Sequence, residues 1–125
     1  MYLLDSNILI NFLNGNGKEV EWINSKKNEE LFVYISVISK IEVMSFSGLS
    51  EDKLPVIEKF LNLFQETPLD KDIISVASLL RRKFKIPLAD SIITASAISR
   101  KKTLVTNDKI LAKKVKDLVE VLSLS

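Results

Sequence analysis

The sequence predicts an α/β fold, with a parallel sheet covered by helices on both faces. Two observations point there. Short apolar or β-branched runs alternate with helical stretches along the whole chain, and strands separated by helices pair in parallel. Glycine and proline are scarce, three of each, with no low-complexity linker and no internal repeat. Connections are therefore short, and residues 1–125 are read as one domain. With 46% hydrophobic residues the chain can bury a core of its own.

The elements follow in order. Tyr2 to Leu4 is a short apolar run suited to a buried strand. Ser6 or Asn7 can cap a helix through Ile8–Leu13, closed by Asn14-Gly15. Lys18 to Lys27 is a polar helix whose apolar residues are Val20, Trp22 and Ile23. Leu31 to Ile35 is the best strand by β-branched and aromatic content. Ser36 then starts a helix in which Val37, Ile41 and Met44 share a face. Ser50 to Lys53 opens another helix, with Pro55 in its first turn and Ile57, Phe60, Leu61 and Phe64 at amphipathic spacing. Thr67-Pro68-Leu69 is a weak edge strand, because proline cannot donate to a ladder. Asp70 caps a helix that turns Ile73, Ile74, Val76, Ala77 and Leu80 inward. Lys85-Ile86-Pro87 ends it. Leu88 to Lys101 is a helix rich in small residues, Thr103 to Thr106 a strand, Asp108 to Lys116 a helix, and Val119 to Leu122 a last strand.

Composition narrows the function. Charged residues make up 27% and are spread along the chain, which argues against disorder. No run approaches the ~18 apolar residues of a membrane span, and the first residues lack the basic start of a signal peptide. Cysteine is absent, so neither a disulfide framework nor a thiolate metal site exists, and a cytoplasmic protein is expected. Histidine is absent too. That excludes His-based triads, His-ligated zinc and a His general base. Any metal would take oxygen ligands, which points to Mg²⁺ or Mn²⁺. The net charge of +2 is small and selects no partner.

Four acids stand out: Asp5, Glu42, Asp90 and Asp108. Asp5 and Asp108 directly follow predicted strands, Glu42 lies about two turns into a helix, and Asp90 sits in the first turn of one. In parallel sheets ligands bind outside the carboxyl ends of the strands, where strand order reverses. The four can face one crevice if the first and fourth strands are neighbours. Each acid also has an ordinary reading, as a turn former, a solvated helix residue or a cap. Asp5, Glu42 and Asp90, however, are embedded among apolar or small residues, where an unpaired carboxylate is costly. Two carboxylates about 5 Å apart repel by roughly 3 kcal/mol at an effective dielectric of 20, and a cation would relieve that conflict. Asn7, Ser39, Thr106 and Asn107 stand beside the acids and can orient carboxylates or water. Their alternative use is capping and turn formation.

These pieces resemble the PIN-domain family, and within it the VapC-like toxins of toxin–antitoxin pairs. The matching segments are Leu4-Asp5-Ser6-Asn7, Ser36-Val37-Ile38-Ser39 leading to Glu42, Ile86 to Ile93 around Asp90, and Leu104-Val105-Thr106-Asn107-Asp108. The resemblance implies a three-layer α/β/α fold with a central parallel sheet of about five strands in the order 3-2-1-4-5. It implies a metal-dependent endoribonuclease that hydrolyses RNA phosphodiesters. Asp5, Glu42, Asp90 and Asp108 match the family's acidic positions. Asp5 and Asp90 are implied as direct metal ligands, with Glu42 and Asp108 holding a second ion or acting through water. Thr106 matches the family's hydroxyl residue beside the site. Two departures are visible: Lys109-Ile110-Leu111 follows where many relatives carry a further acid or aromatic, and Lys102 stands where glycine is common.

Partners follow in part from the same source. A small antitoxin, with an extended segment in the active-site groove, and a homodimer are implied by the resemblance; most large apolar residues of the N-terminal helices are expected in the core, and some offer a dimer face. Basic clusters occur at Arg81-Arg82-Lys83 with Lys85, at Arg100-Lys101-Lys102, and at Lys109, Lys113, Lys114 and Lys116. Each is most simply a solvated helix face; the last two flank Asp108 in sequence and could instead border the crevice and hold RNA phosphates. The alternatives are a catalytically weak RNA- or protein-binding module of the same fold, and another metal-dependent nuclease.

Overall fold

A computed structural model describes residues 1–26, 33–46 and 48–125. The first strand, β1 (Tyr2–Leu4), leads into α1 (Ser6–Leu13) and α2 (Gly17–Ser25). Strand β2 (Val33–Ser36) follows, then α3 (Val37–Met44), a 3-10 turn at Glu51–Lys53, α4 (Leu54–Leu61) and β3 (Gln65–Thr67). The remainder is α5 (Lys71–Phe84), α6 (Leu88–Ser99), β4 (Thr103–Val105), α7 (Lys109–Val115) and β5 (Val121–Leu122). Leu31, Phe32 and Lys27, placed above in a strand and a helix, lie outside the described residues.

All five strands are parallel, in the order β3-β2-β1-β4-β5. The first and fourth strands are therefore neighbours, with Leu3 opposite both Tyr34 and Leu104. Alternation of side chains along each strand builds the three layers. Leu3 and Leu104 face a cluster made with Ile73, Leu80, Ile93 and Leu111 of α5, α6 and α7. Leu4 and Val105 face the opposite cluster, made with Ile8, Leu9, Ile23, Val43, Ile57 and Leu61.

Caps explain most of the boundaries. The cap of α1 is Asp5, not Ser6 or Asn7, so the helix begins one residue after the strand ends. Asn14 closes it, and Gly15 takes the left-handed φ of +79° that the turn requires. Ser36 and Asp70 cap α3 and α5 through bonds from the amides of Ile38 and Ile73. The edge strand is Gln65–Thr67, ending before Pro68 rather than including it. In α3 the inward residues are Ser39 and Val43, while Ile41 is 59% exposed. Ile74 of α5 is likewise half exposed.

Helix α6 ends in a Schellman motif. The amide of Lys102 donates to the Ala97 carbonyl and that of Lys101 to the Ile98 carbonyl. The left-handed residue is Lys101, with φ of +55°, so the position that favours glycine is 101 rather than 102. Lys101→Gly is expected to raise stability by about 0.5–1 kcal/mol, read as a higher midpoint in thermal or urea unfolding.

Candidate active site

Asp5 is the centre of the site. It follows β1 without a gap, and its amide donates to the Val105 carbonyl at 2.9 Å, which continues the β1–β4 ladder by one bond. Its side chain is therefore fixed at the carboxyl end of the two central strands, where it is only 4% exposed. One carboxylate oxygen accepts from the Ser6 amide at 2.7 Å. The other accepts from the Thr106 hydroxyl at 2.7 Å and from Asn7 Nδ2 at 3.1 Å.

Glu42 and Asp90 lie within electrostatic reach of it, and Asp108 within reach of Asp90. The Ser6 hydroxyl donates to Glu42 Oε1 at 2.6 Å, which ties α3 to the start of α1. Asp108 caps α7 by accepting from the Leu111 amide at 3.0 Å, and its own amide donates to the Thr106 hydroxyl at 3.1 Å. Asp90 lies in the first turn of α6, half-buried. Burial pushes the pKa of Asp5 up to about 6; the Thr106 hydroxyl pulls it down, and the charges of Asp90 and Glu42 add to the rise. Burial also raises that of Asp90, with the charges of Asp108 and Glu42 contributing. The four carboxylates thus share one electrostatic environment. Among the described residues no side-chain cation acts on Asp5 or Asp90, and the ion pairs Lys40–Glu66 and Arg100–Asp70 lie elsewhere.

Among the described residues no three acids are drawn together into a closed metal cage. The hydrogen bonds give the reason. Both oxygens of Asp5 are engaged by Ser6, Thr106 and Asn7, Glu42 is held by Ser6, and Asp108 is held by the α7 amide.

Of the neutral residues, Asn7 and Thr106 bond Asp5 directly. Asn107 does not: its Nδ2 donates to Glu19 at 2.8 Å and its Oδ1 accepts from the Leu124 amide at 2.8 Å. Ser39 is fully buried, and its hydroxyl finds no partner among the described residues. The hydroxyl that orients Glu42 belongs to Ser6, which is read from sequence only as a cap. Glu19, buried in the first turn of α2, carries no sequence signal apart from its place in that turn.

Arg100-Lys101-Lys102 does not border the crevice. These residues precede β4, at the opposite end of that strand from Asp108. Arg100 pairs with Asp70, and Lys102 is buried with its ammonium 3.6 Å from the centre of the Tyr34 ring. The turn at Arg81-Arg82-Lys83 is closer in the fold. It ends α5, and a three-residue connection then leads into the first turn of α6, which holds Asp90.

A sequence model of the PIN domain matches residues 2–117. The chain belongs to the PIN-domain family. Among solved structures, this PIN domain is similar to a toxin–antitoxin complex from Klebsiella pneumoniae, with 24% identity over 100% of this chain and 98% of that one and a TM-score of 0.84. FitAcB from Neisseria gonorrhoeae aligns at 26% identity over 99% and 98% of the two chains, with a TM-score of 0.77. DNA-bound VapBC from Salmonella typhimurium aligns at 19% identity over 99% and 98%, with a TM-score of 0.79. A comparison with curated proteins found no significant match. No helix among the described residues is long and apolar enough to cross a membrane.

Proposed function

We propose that this PIN domain is a Mg²⁺- or Mn²⁺-dependent endoribonuclease, the toxin of a toxin–antitoxin pair. The observation that carries this reading is a buried carboxylate, Asp5, held near two further acids with no side-chain cation beside it among the described residues. Burying such a charge unpaired costs several kcal/mol, and an ion bound among oxygen donors offsets that cost. The donor set is all carboxylate and hydroxyl, which suits a hard divalent cation. Asp5 and Asp90 would hold the ion directly, with Glu42 and Asp108 completing the set or holding a second ion. When bound, the ion supplies a water acidic enough to be deprotonated near neutral pH and neutralises charge on the scissile phosphate.

The protein's own contribution is positioning. Thr106 and Asn7 fix the Asp5 carboxylate, Ser6 aims Glu42, and the first turn of α7 fixes Asp108. Lys109, exposed beside Asp108, and Arg81–Lys83 in the last turn of α5, which leads into the helix of Asp90, would meet RNA phosphates on this reading. The toxin reading rests on the family and on structural neighbours that are toxin–antitoxin complexes. It assigns an antitoxin segment to the apolar pocket of about 460 Å³ lined by Phe12, Trp22, Phe60, Leu63 and Phe64. A homodimer belongs to the same reading.

The test is calorimetry with Mn²⁺ followed by RNA cleavage. Carboxylate-dependent binding together with Mn²⁺-dependent cleavage of RNA is expected. Single-stranded DNA cut in preference to RNA would redirect the assignment to another nuclease. The open arrangement of the acids favours one competing reading, a binding module without effective catalysis; no carboxylate-dependent Mn²⁺ heat and no cleavage of any RNA would select it. Arg81→Ala/Arg82→Ala should raise KM for RNA about tenfold at low salt, with kcat nearly unchanged and a shallower salt dependence. Steady-state kinetics at two salt concentrations checks this.

A further inference from the structure

Besides Asp5, one carboxylate is buried among the described residues. Glu19 is 5% exposed and lies in the first turn of α2, whose positive end suits a negative charge. Its partner is Asn107, 88 positions away, through the 2.8 Å bond from Nδ2. Asn107 is engaged on its other side as well. Its Oδ1 takes the Leu124 amide, and its own amide reaches Asn7 Oδ1 at 3.5 Å.

Asn107 itself touches none of the four acids, but both its neighbours serve them. Thr106 grips Asp5, and Asp108 is one of the four. The orientation of this three-residue segment decides where the Thr106 hydroxyl and the Asp108 carboxylate point. A glutamine at 19 could accept the same bond at a lower desolvation cost. An ionised acceptor makes the bond shorter and stronger, and so holds the segment more rigidly.

On the reading of the acids as a metal site, we infer that Glu19 is a positioning residue: by clamping Asn107 it aims Thr106 at Asp5 and Asp108 at the ion. The role is specific to one hydrogen bond, so it can be broken and rebuilt. Asn107→Asp sets two carboxylates against each other while still accepting the Leu124 amide. Adding Glu19→Gln restores the bond with donor and acceptor exchanged.

Two measurements decide the matter. In metal-free protein, amide exchange at Asp108, whose N–H is held by Thr106, should accelerate about tenfold in Asn107→Asp, as expected for a bond lost from a locally opening segment. It should return close to the native rate in the double variant. Mn²⁺ affinity should fall about tenfold in Asn107→Asp, as for other outer partners of metal ligands, and recover in the double variant. Folded single and double variants with identical Asp108 exchange would overturn the inference. If exchange follows the swap while the native protein takes up no Mn²⁺, the clamp stands and the metal reading fails.

Discussion

Asp5→Asn should abolish Mn²⁺-dependent RNA cleavage, a loss on the order of a thousandfold in kcat, and yet make the metal-free protein more stable. The two effects have one origin. The pKa of Asp5 is about 6 in the fold against 3.8 for the unperturbed group. A raised carboxylate pKa means that the folded state binds its proton more tightly than the unfolded chain does. Stability is therefore unaffected below about pH 3.8, falls as pH rises toward 6, and stays lower above that. The full shift corresponds to a penalty of roughly 3 kcal/mol at neutral pH. Asparagine removes the charge but keeps only one acceptor for the three donors around it, so the net gain should be smaller, about 1–2 kcal/mol. At pH 7.5 in EDTA this is a rise of roughly 3–10 °C in Tm. Adding Mn²⁺ at a hundred times its Kd should stabilise the native protein by about 2.7 kcal/mol and leave the variant nearly unchanged. The native protein's metal affinity should also fall about tenfold per pH unit below pH 6, because the ligand must lose its proton. If Asp5→Asn proves less stable than the native protein in EDTA, the hydrogen bonds outweigh the charge penalty, and Asp5 is a structural cap.

That Asp5 would be buried is visible in the sequence, because it follows Tyr2-Leu3-Leu4 without a turn residue between. Its company is less visible. The pairing of β1 with β4 joins residues a hundred positions apart, and no local pattern encodes that contact; the expectation came from the family resemblance. Helix α3 shows where periodicity misleads. Val37, Ile41 and Met44 form the more apolar stripe, but turning Ile41 inward would rotate Glu42 away from Ser6. The fold buries Ser39 and Val43 instead. Glu19 was missed for a related reason. The run Lys18-Glu19-Val20-Glu21 looks solvated on every side, and only the distant Asn107 distinguishes one glutamate from the other. The basic residues at 100–102 flank Asp108 in sequence, yet β4 lies between them and places them at opposite ends of its length.

Thr106→Val should be the second most damaging change, and its signature lies in pH rather than in rate alone. The hydroxyl is buried and does three things. It donates to Asp5 at 2.7 Å, accepts the Asp108 amide at 3.1 Å, and lies 3.4 Å from Asn7 Nδ2. Valine fills the same volume without the oxygen, so packing is preserved and only these bonds are lost. The donated bond is the main influence holding the Asp5 pKa down. Without it the carboxylate should protonate at still higher pH, and the acid limb of the pH–rate profile should move upward. At pH 6.5 activity should drop by about 10- to 100-fold, and raising the pH should recover part of the loss. The orphaned Asp108 amide costs about 1–3 kcal/mol of stability in addition. Thr106→Ser keeps the hydroxyl and should retain both the profile and most of the rate. A Thr106→Val protein with native pH dependence would mean that this hydroxyl only secures the α7 turn, and that Asp5 owes its ionisation to something else.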